Sequence, residues 1–240
     1  MLVGVGRRLI PQRTLAALNS ASEHLMNNEA AIVKLLAPPF AETPRDPGYI
    51  RAYPPGVREN GSQYSHAAAW LGLANARVGK GDMAYEIFTR LNPIYRSDSL
   101  IKAQHYRGEP YVVAADICGQ GPHSGQAGWT WYTGAASWSW QLAVEGILGI
   151  SLHLGEVRIA PCLPRDWGSA TVRLHRETAS LVIHIEDPHH LGSGWVALTE
   201  AGQALQGNTL AFPKAGAERT VHARLWPSEQ AAAQALSANS

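Results

Sequence analysis

The sequence predicts a mostly α chain followed by a small antiparallel β domain. Two features carry that expectation. Up to about residue 155 the apolar positions recur at helical spacing, and beyond it the period changes from 3.6 to 2. Strands and helices do not alternate and no GxGxxG occurs, so a dinucleotide-binding βαβ architecture is excluded. The expected division is a helical part over residues 1–155 and a β part over 156–228. Residues 229–240 are polar and alanine-rich with nothing to bury, and are expected to be frayed or disordered.

Taken in order, Leu15, Leu18, Leu25, Ile32, Leu35 and Leu36 recur at helical spacings before Pro38 and Pro39 close the segment, which predicts one amphipathic helix or two short ones over 14–36. Residues 38–62 hold six prolines and three glycines, so a long loop must follow. Its aromatics, Phe40, Tyr49 and Tyr53, favour an ordered one. Over 63–79 the alanines with Leu71, Leu73 and Val78 predict a buried helix that is apolar nearly all round and ended by Gly79. Residues 82–91 predict a second helix with Asp82 as its N-cap, an αα-hairpin partner of the first. EPYVVAADIC (109–118) reads equally as helix or strand, and AASWSWQLAVEGILGI (135–150) as a strongly apolar helix. Short strands are expected around 172–175, 181–186, 195–198 and 220–225, with a turn at Asp187-Pro188.

Composition narrows the function. A 240-residue chain that is 45% hydrophobic and 16% charged can bury a sizeable core and is not disordered. The net charge of +1 leaves no footprint for a nucleic-acid partner. No window approaches the roughly 18 apolar residues of a membrane span, and the opening segment does not resemble a signal peptide. Two cysteines without CxxC spacing, Cys118 and Cys162, fit a reduced cytoplasmic protein with ordinary thiols. The aromatics are 8 Trp and 8 Tyr against 3 Phe, rings with a polar handle of the kind that suits sugar surfaces.

Two segments could carry chemistry. RENGSQYSH (58–66) gathers an arginine, a carboxylate, amides, hydroxyls and an imidazole before a buried helix, a set suited to hydrogen bonding a polyol. Asn60 and Ser62 are also ordinary helix caps, so for those two residues both readings stand. GWTWYTGAASW (128–138) sets three aromatics before Thr133-Gly134 and a helix start, where free N–H groups and the helix dipole would favour an anion. Trp129, Trp131 and Tyr132 could equally be core. No His pair stands at i, i+4 with an acidic neighbour and no GxSxG occurs, so neither a metal site nor a serine nucleophile is expected.

Together LLAPPF (35–40), DPGYIRAYPPGVRENGSQYSHAAAW (46–70), NPI (92–94), EPYVVAADI (109–117), GWTWYTGAASW, VEGILGI (144–150) and IAPCLPRDW (159–167) resemble the inverting oligosaccharide phosphorylases of glycoside hydrolase family 94, over about residues 15–200. Within that family the segments are similar to the C-terminal phosphorylase-like region of cyclic β-1,2-glucan synthases. The resemblance implies that residues 1–155 are the C-terminal part of an (α/α)6 barrel holding a sugar and phosphate pocket. It further implies that inorganic phosphate is the co-substrate, with no other cofactor, and that a β-glucan oligosaccharide is the substrate. His66, Thr133 and Gly134 look like phosphate contacts, Glu59 like a sugar-hydroxyl contact, and Gln126 with Trp129 like pocket lining. An inverting hydrolase needs two carboxyl groups, whereas phosphate is itself an anionic nucleophile, so one general acid suffices. That acid lies upstream in the family, and none of Asp46, Asp82, Asp98 and Asp116 matches it, so no catalytic residue is assigned here. Ser62, Gln126-Ala127 and Gln141 replace a Gly, an Arg-Gly and an Arg of the family pattern. An upstream chain or domain is expected to complete the barrel, and a non-catalytic carbohydrate- or phosphate-binding role is the alternative.

Overall fold

The computed structural model describes residues 11–131 and 133–237. Helices come first and sheets afterwards, in two compact units. One is formed by the chain up to Asn75 with Glu86–Leu142, the other by Ala76–Tyr85 with Ala143 onward.

In the first unit helix Pro11–Leu25 runs into a hairpin, Met26–Asn27 paired antiparallel with Ile32–Val33. A helix over 14–36 is therefore corrected. Asn27 turns the chain by accepting the Ala30 N–H at 2.8 Å, and Ala31 takes a left-handed φ of 51°. Ile32 and Val33 then enter the core as strand residues. Arg90 ties this hairpin to helix Gly81–Leu91, donating to the carbonyls of Asn27 and Ile32 and to Asn28 Oδ1. Arg96 donates to the carbonyls of Arg90 and Ala30, and its burial pulls its pKa down to about 10.

The loop expected over 38–62 runs over 34–62, interrupted by a 3-10 turn at Gly48–Ala52 and a bridge between Val57 and Asn60. Helix Ser65–Arg77 follows, and Gly79 after it has φ 81°. A Cβ at Gly72 would lie 2.6 Å from Leu142, so this helix is glycine where it meets its neighbour. Short helices at Pro93–Ser97 and Leu100–Tyr106 are capped by the side chains of Asn92 and Ser99. Residues 109–118 are neither helix nor long strand, since only Asp116–Ile117 pairs, with Gln63–Tyr64. Helix Thr133–Gln141 widens into a π-helix at Leu142–Ile147.

The second unit holds a three-stranded sheet, in the order Thr209–Ala211, Glu156–Ile159, Ile150–His153, and a five-stranded one. The larger sheet runs Gln203–Ala204, Trp195–Glu200, Glu218–Trp226, Ala179–Glu186, Ser169–Arg176. A wholly antiparallel domain is corrected here, because Glu218–Trp226 lies parallel to Ala179–Glu186, with Val221 opposite Ile183. Alternation is what the sequence displays, and it is the same for either direction of pairing. The core between the sheets is aliphatic, with Ile159, Leu181, Ile183, Val221 and Leu225 all buried. Asp82 is corrected too. It lies inside the first turn of its helix, and its carboxylate accepts the N–H and Nε of Arg165 at 2.8 and 2.6 Å instead of capping. The C-terminal residues Glu229–Ser237, expected to fray, form a helix with Ala232 buried.

Candidate functional site

The segment before helix Ser65–Arg77 is held by its own amides. Asn60 is wholly buried, donates to the carbonyls of Phe40 and Tyr53 at 2.8 Å and accepts the Phe40 N–H at 2.7 Å. Gln63, also buried, accepts the Val33 N–H at 2.9 Å, and the Ser62 hydroxyl donates to the Arg58 carbonyl. Asn60 and Ser62 therefore staple the loop and cap nothing, so neither of the two sequence readings holds for them. The staple bends the backbone sharply, with Arg58 at a left-handed φ of 47°. Gly61, at φ 90°, sits where a Cβ would meet Pro39.

Arg58 and Glu59 stand out from this scaffold. Their side chains approach at 3.8 Å, an ion-pair distance without a hydrogen bond. The Arg58 guanidinium lies 5.7 Å from the Tyr53 ring centre and 5.6 Å from that of Trp129, cation–π contacts that join the two candidate segments. Trp129 is otherwise exposed, and its N–H donates to the buried Asp116 carboxylate at 3.2 Å.

His66 occupies the first turn of its helix. Its ring meets Trp70 edge-on at 4.6 Å and Trp138 at 5.7 Å, while the two indoles meet at 5.5 Å. Trp138 belongs to the helix Thr133–Gln141, so the aromatic cluster links that helix to the one that carries His66. Burial among these rings lowers the imidazole pKa, which keeps it neutral near pH 7. Its Nε2 is buried without a partner. Among the described residues, eight buried side-chain nitrogens and oxygens lack one, and five of them fall between Arg58 and Trp70: Arg58 Nε, Glu59 Oε2, Ser65 Oγ, His66 Nε2 and Trp70 Nε1. Buried polar atoms are nearly always hydrogen-bonded, so this concentration singles the segment out as a candidate site, although Arg58 Nε and Glu59 Oε2 face each other as the ion pair.

Of the expected site residues, His66 is brought against Trp138 of the helix Thr133–Gln141, and Glu59 with Trp129 to the Arg58 side chain. Gln126 is not joined to either, as its Oε1 faces His123 Nδ1 at 3.0 Å. Trp70 and Trp138 carried a signal that sequence reading passed over: Trp70 stands four residues after His66, on the same helix face. Glu109 takes the Trp131 Nε1–H at 3.0 Å, a contact between segments with no local pattern to announce it. No group of three or more His, Cys, Asp and Glu is placed to hold a metal ion, and no helix is long and apolar enough to cross a membrane, among the described residues.

Comparison with known proteins points the same way. The family description "Glycosyl hydrolase 94 superfamily, catalytic domain" matches residues 1–149. The chain is 49% identical over 169 residues to the cyclic beta-(1,2)-glucan synthase NdvB of Rhizobium meliloti (strain 1021), covering 70% of the chain but 6% of that protein. It is 30% identical over 197 residues to the N,N'-diacetylchitobiose phosphorylase of Vibrio proteolyticus, covering 82% of the chain and 24% of the relative. To the 3-O-beta-D-glucopyranosyl-beta-D-glucuronide phosphorylase of Paenibacillus borealis it is 30% identical over 195 residues, 25% of that protein. The chain thus spans about a quarter or less of each of these relatives.

Proposed function

Because this chain belongs to the glycosyl hydrolase 94 superfamily, we propose that it forms the phosphate- and sugar-binding wall of an inverting β-glucan phosphorylase or glycosyltransferase. On this reading its helices are the C-terminal part of an (α/α)6 barrel, and β-1,2-linked glucan is the substrate, by similarity to a cyclic glucan synthase. The unpartnered polar atoms from Arg58 to Trp70 carry the proposal. A neutral His66 can donate one N–H to phosphate, and the free N–H groups at Thr133 and Gly134 add the favourable end of a helix dipole. Phosphate held so would attack the anomeric carbon from the side opposite the leaving oxygen. The general acid that protonates that oxygen comes from outside these residues. Glu59 would accept from a sugar hydroxyl, with Trp129 offering a ring face beside it.

A complementing chain or domain is part of the proposal. Ile94, Leu100 and Ile101 are 61%, 74% and 81% exposed, a patch that a completed barrel would cover. A cytoplasmic location rests on the free thiols of Cys118 and Cys162. A second reading, binding without catalysis, is favoured by one observation. No aspartate here matches the family's general acid, and the buried Asp116 accepts the Trp129 N–H instead of standing free to replace it.

Calorimetric titration with phosphate, with and without a β-1,2-gluco-oligosaccharide, tests the proposal. Phosphate binding that is lost in His66→Ala and weakened in Thr133→Ala is the expected result. A folded chain that binds neither ligand would overturn an autonomous site. Binding without turnover, once the upstream half is supplied, would favour the second reading.

A further inference from the structure

The outer face of the five-stranded sheet carries a histidine pair that the proposed sugar chemistry does not use. Parallel pairing sets His222 directly opposite His184, and antiparallel pairing sets Thr171 on the far side of His184 and Thr199 on the far side of His222. The row across four strands is therefore Thr, His, His, Thr. The inward neighbours Ile183, Ile185, Val221 and Ala223 are buried, so the pair lies on the solvent side.

Three features make this pair more than two adjacent rings. Their centres are 5.0 Å apart. A tetrahedral ion bonded at about 2.0–2.1 Å to one nitrogen of each ring would hold the centres roughly 5 Å apart. Each ring also has its Nδ1 already engaged, His184 with Thr171 Oγ1 at 3.2 Å and His222 with the Glu186 carboxylate at 3.5 Å. The Glu186 carboxylate faces the Nδ1 side of the His222 ring, which leaves Nε2 as the nitrogen open to an ion. A carboxylate on the far side of a ligating imidazole is an arrangement that orients the ring toward its ion. Finally, of the cations on this face, Arg224 lies over the Trp226 ring at 4.9 Å, while Arg173 stands opposite Val182.

We propose that His184 and His222 form a two-nitrogen surface chelate for a divalent ion of intermediate softness, Zn²⁺ or its neighbours, with water in the remaining positions. Glu186 is a positioning residue that acts through His222. The bound ion would bridge strands that are more than thirty residues apart in the chain, and so would stabilise the sheet in proportion to its occupancy.

Titration of the chain with Zn²⁺ alone, followed by calorimetry and by the thermal midpoint, tests this. The expected result is one ion bound per chain and a midpoint that rises with Zn²⁺. Both effects should vanish in His184→Gln and in His222→Gln, at a half-buried and an exposed position on the solvent side of the sheet, with the fold intact by circular dichroism. Glu186→Gln should weaken binding about 10- to 100-fold. Co²⁺ substituted for Zn²⁺ should show visible absorption that the two histidine variants lack. Zn²⁺ binding that survives either single histidine variant, or that is lost instead in His190→Gln, overturns the chelate, as does the absence of binding.

Discussion

An imidazole nitrogen buried without a partner is a stability cost that a core would normally remove, and at His66 that cost has been kept. The replacement His66→Phe fills a similar space with no polar atom. It should leave the urea midpoint unchanged or raise it while abolishing phosphate binding, an opposition that a purely structural histidine would not show. Asn60 is the reverse case. Its three hydrogen bonds fold the loop, and Asn60→Ala should cost on the order of 3 kcal/mol in denaturant unfolding. Sequence reading recognised the polar richness of this segment but not its division of labour. An amide that staples a loop from within and a carboxylate that stands out beside an arginine are not told apart by a motif. Only the bend at Arg58 and Gly61 separates them.

Elements were legible where period and punctuation agreed. Helix Ser65–Arg77 and the strands Ala179–Glu186 and Glu218–Trp226 stand within a few residues of expectation. They were illegible where a short polar turn overrode a good period, as Asn27 does after Leu25. Distant backbone was equally hidden, as where Asp82 meets Arg165. Glycines test the elements cleanly. Gly149 and Gly155 both have left-handed φ, 69° and 85°, yet a Cβ at Gly149 would lie 2.0 Å from the Ala160 carbonyl while one at Gly155 meets nothing. Gly155→Ala should therefore cost about 1–2 kcal/mol from backbone strain alone. Gly149→Ala should cost distinctly more, read as the difference in thermal midpoint between the two variants.

For the molecule as a whole, these groups set a pH profile. His66 has its pKa lowered below the ordinary 6.5 by burial, so the unfolded chain binds more protons there and stability falls as pH drops below that value. Asp82, lowered chiefly by the Arg165 backbone N–H, and Glu200, lowered chiefly by the Arg219 side chain, add a second loss. Their contribution is complete above the ordinary carboxylate values of 3.8 and 4.5 and is lost as pH falls beneath them. Thermal midpoints measured from pH 8 to 3 should fall in two steps. His66→Phe should remove the upper step and leave the lower one.

The parallel strand Glu218–Trp226 has a further consequence, in time instead of space. It is the middle strand of the larger sheet and the last of its five to be synthesised. Until it emerges nothing joins the pair Ser169–Arg176 and Ala179–Glu186 to the pair Trp195–Glu200 and Gln203–Ala204, and each pair shows an apolar face and an open edge. Nascent chains should therefore stay sensitive to proteases over 169–211 until the segment near residue 226 has emerged from the ribosome, and its emergence should be followed by abrupt protection.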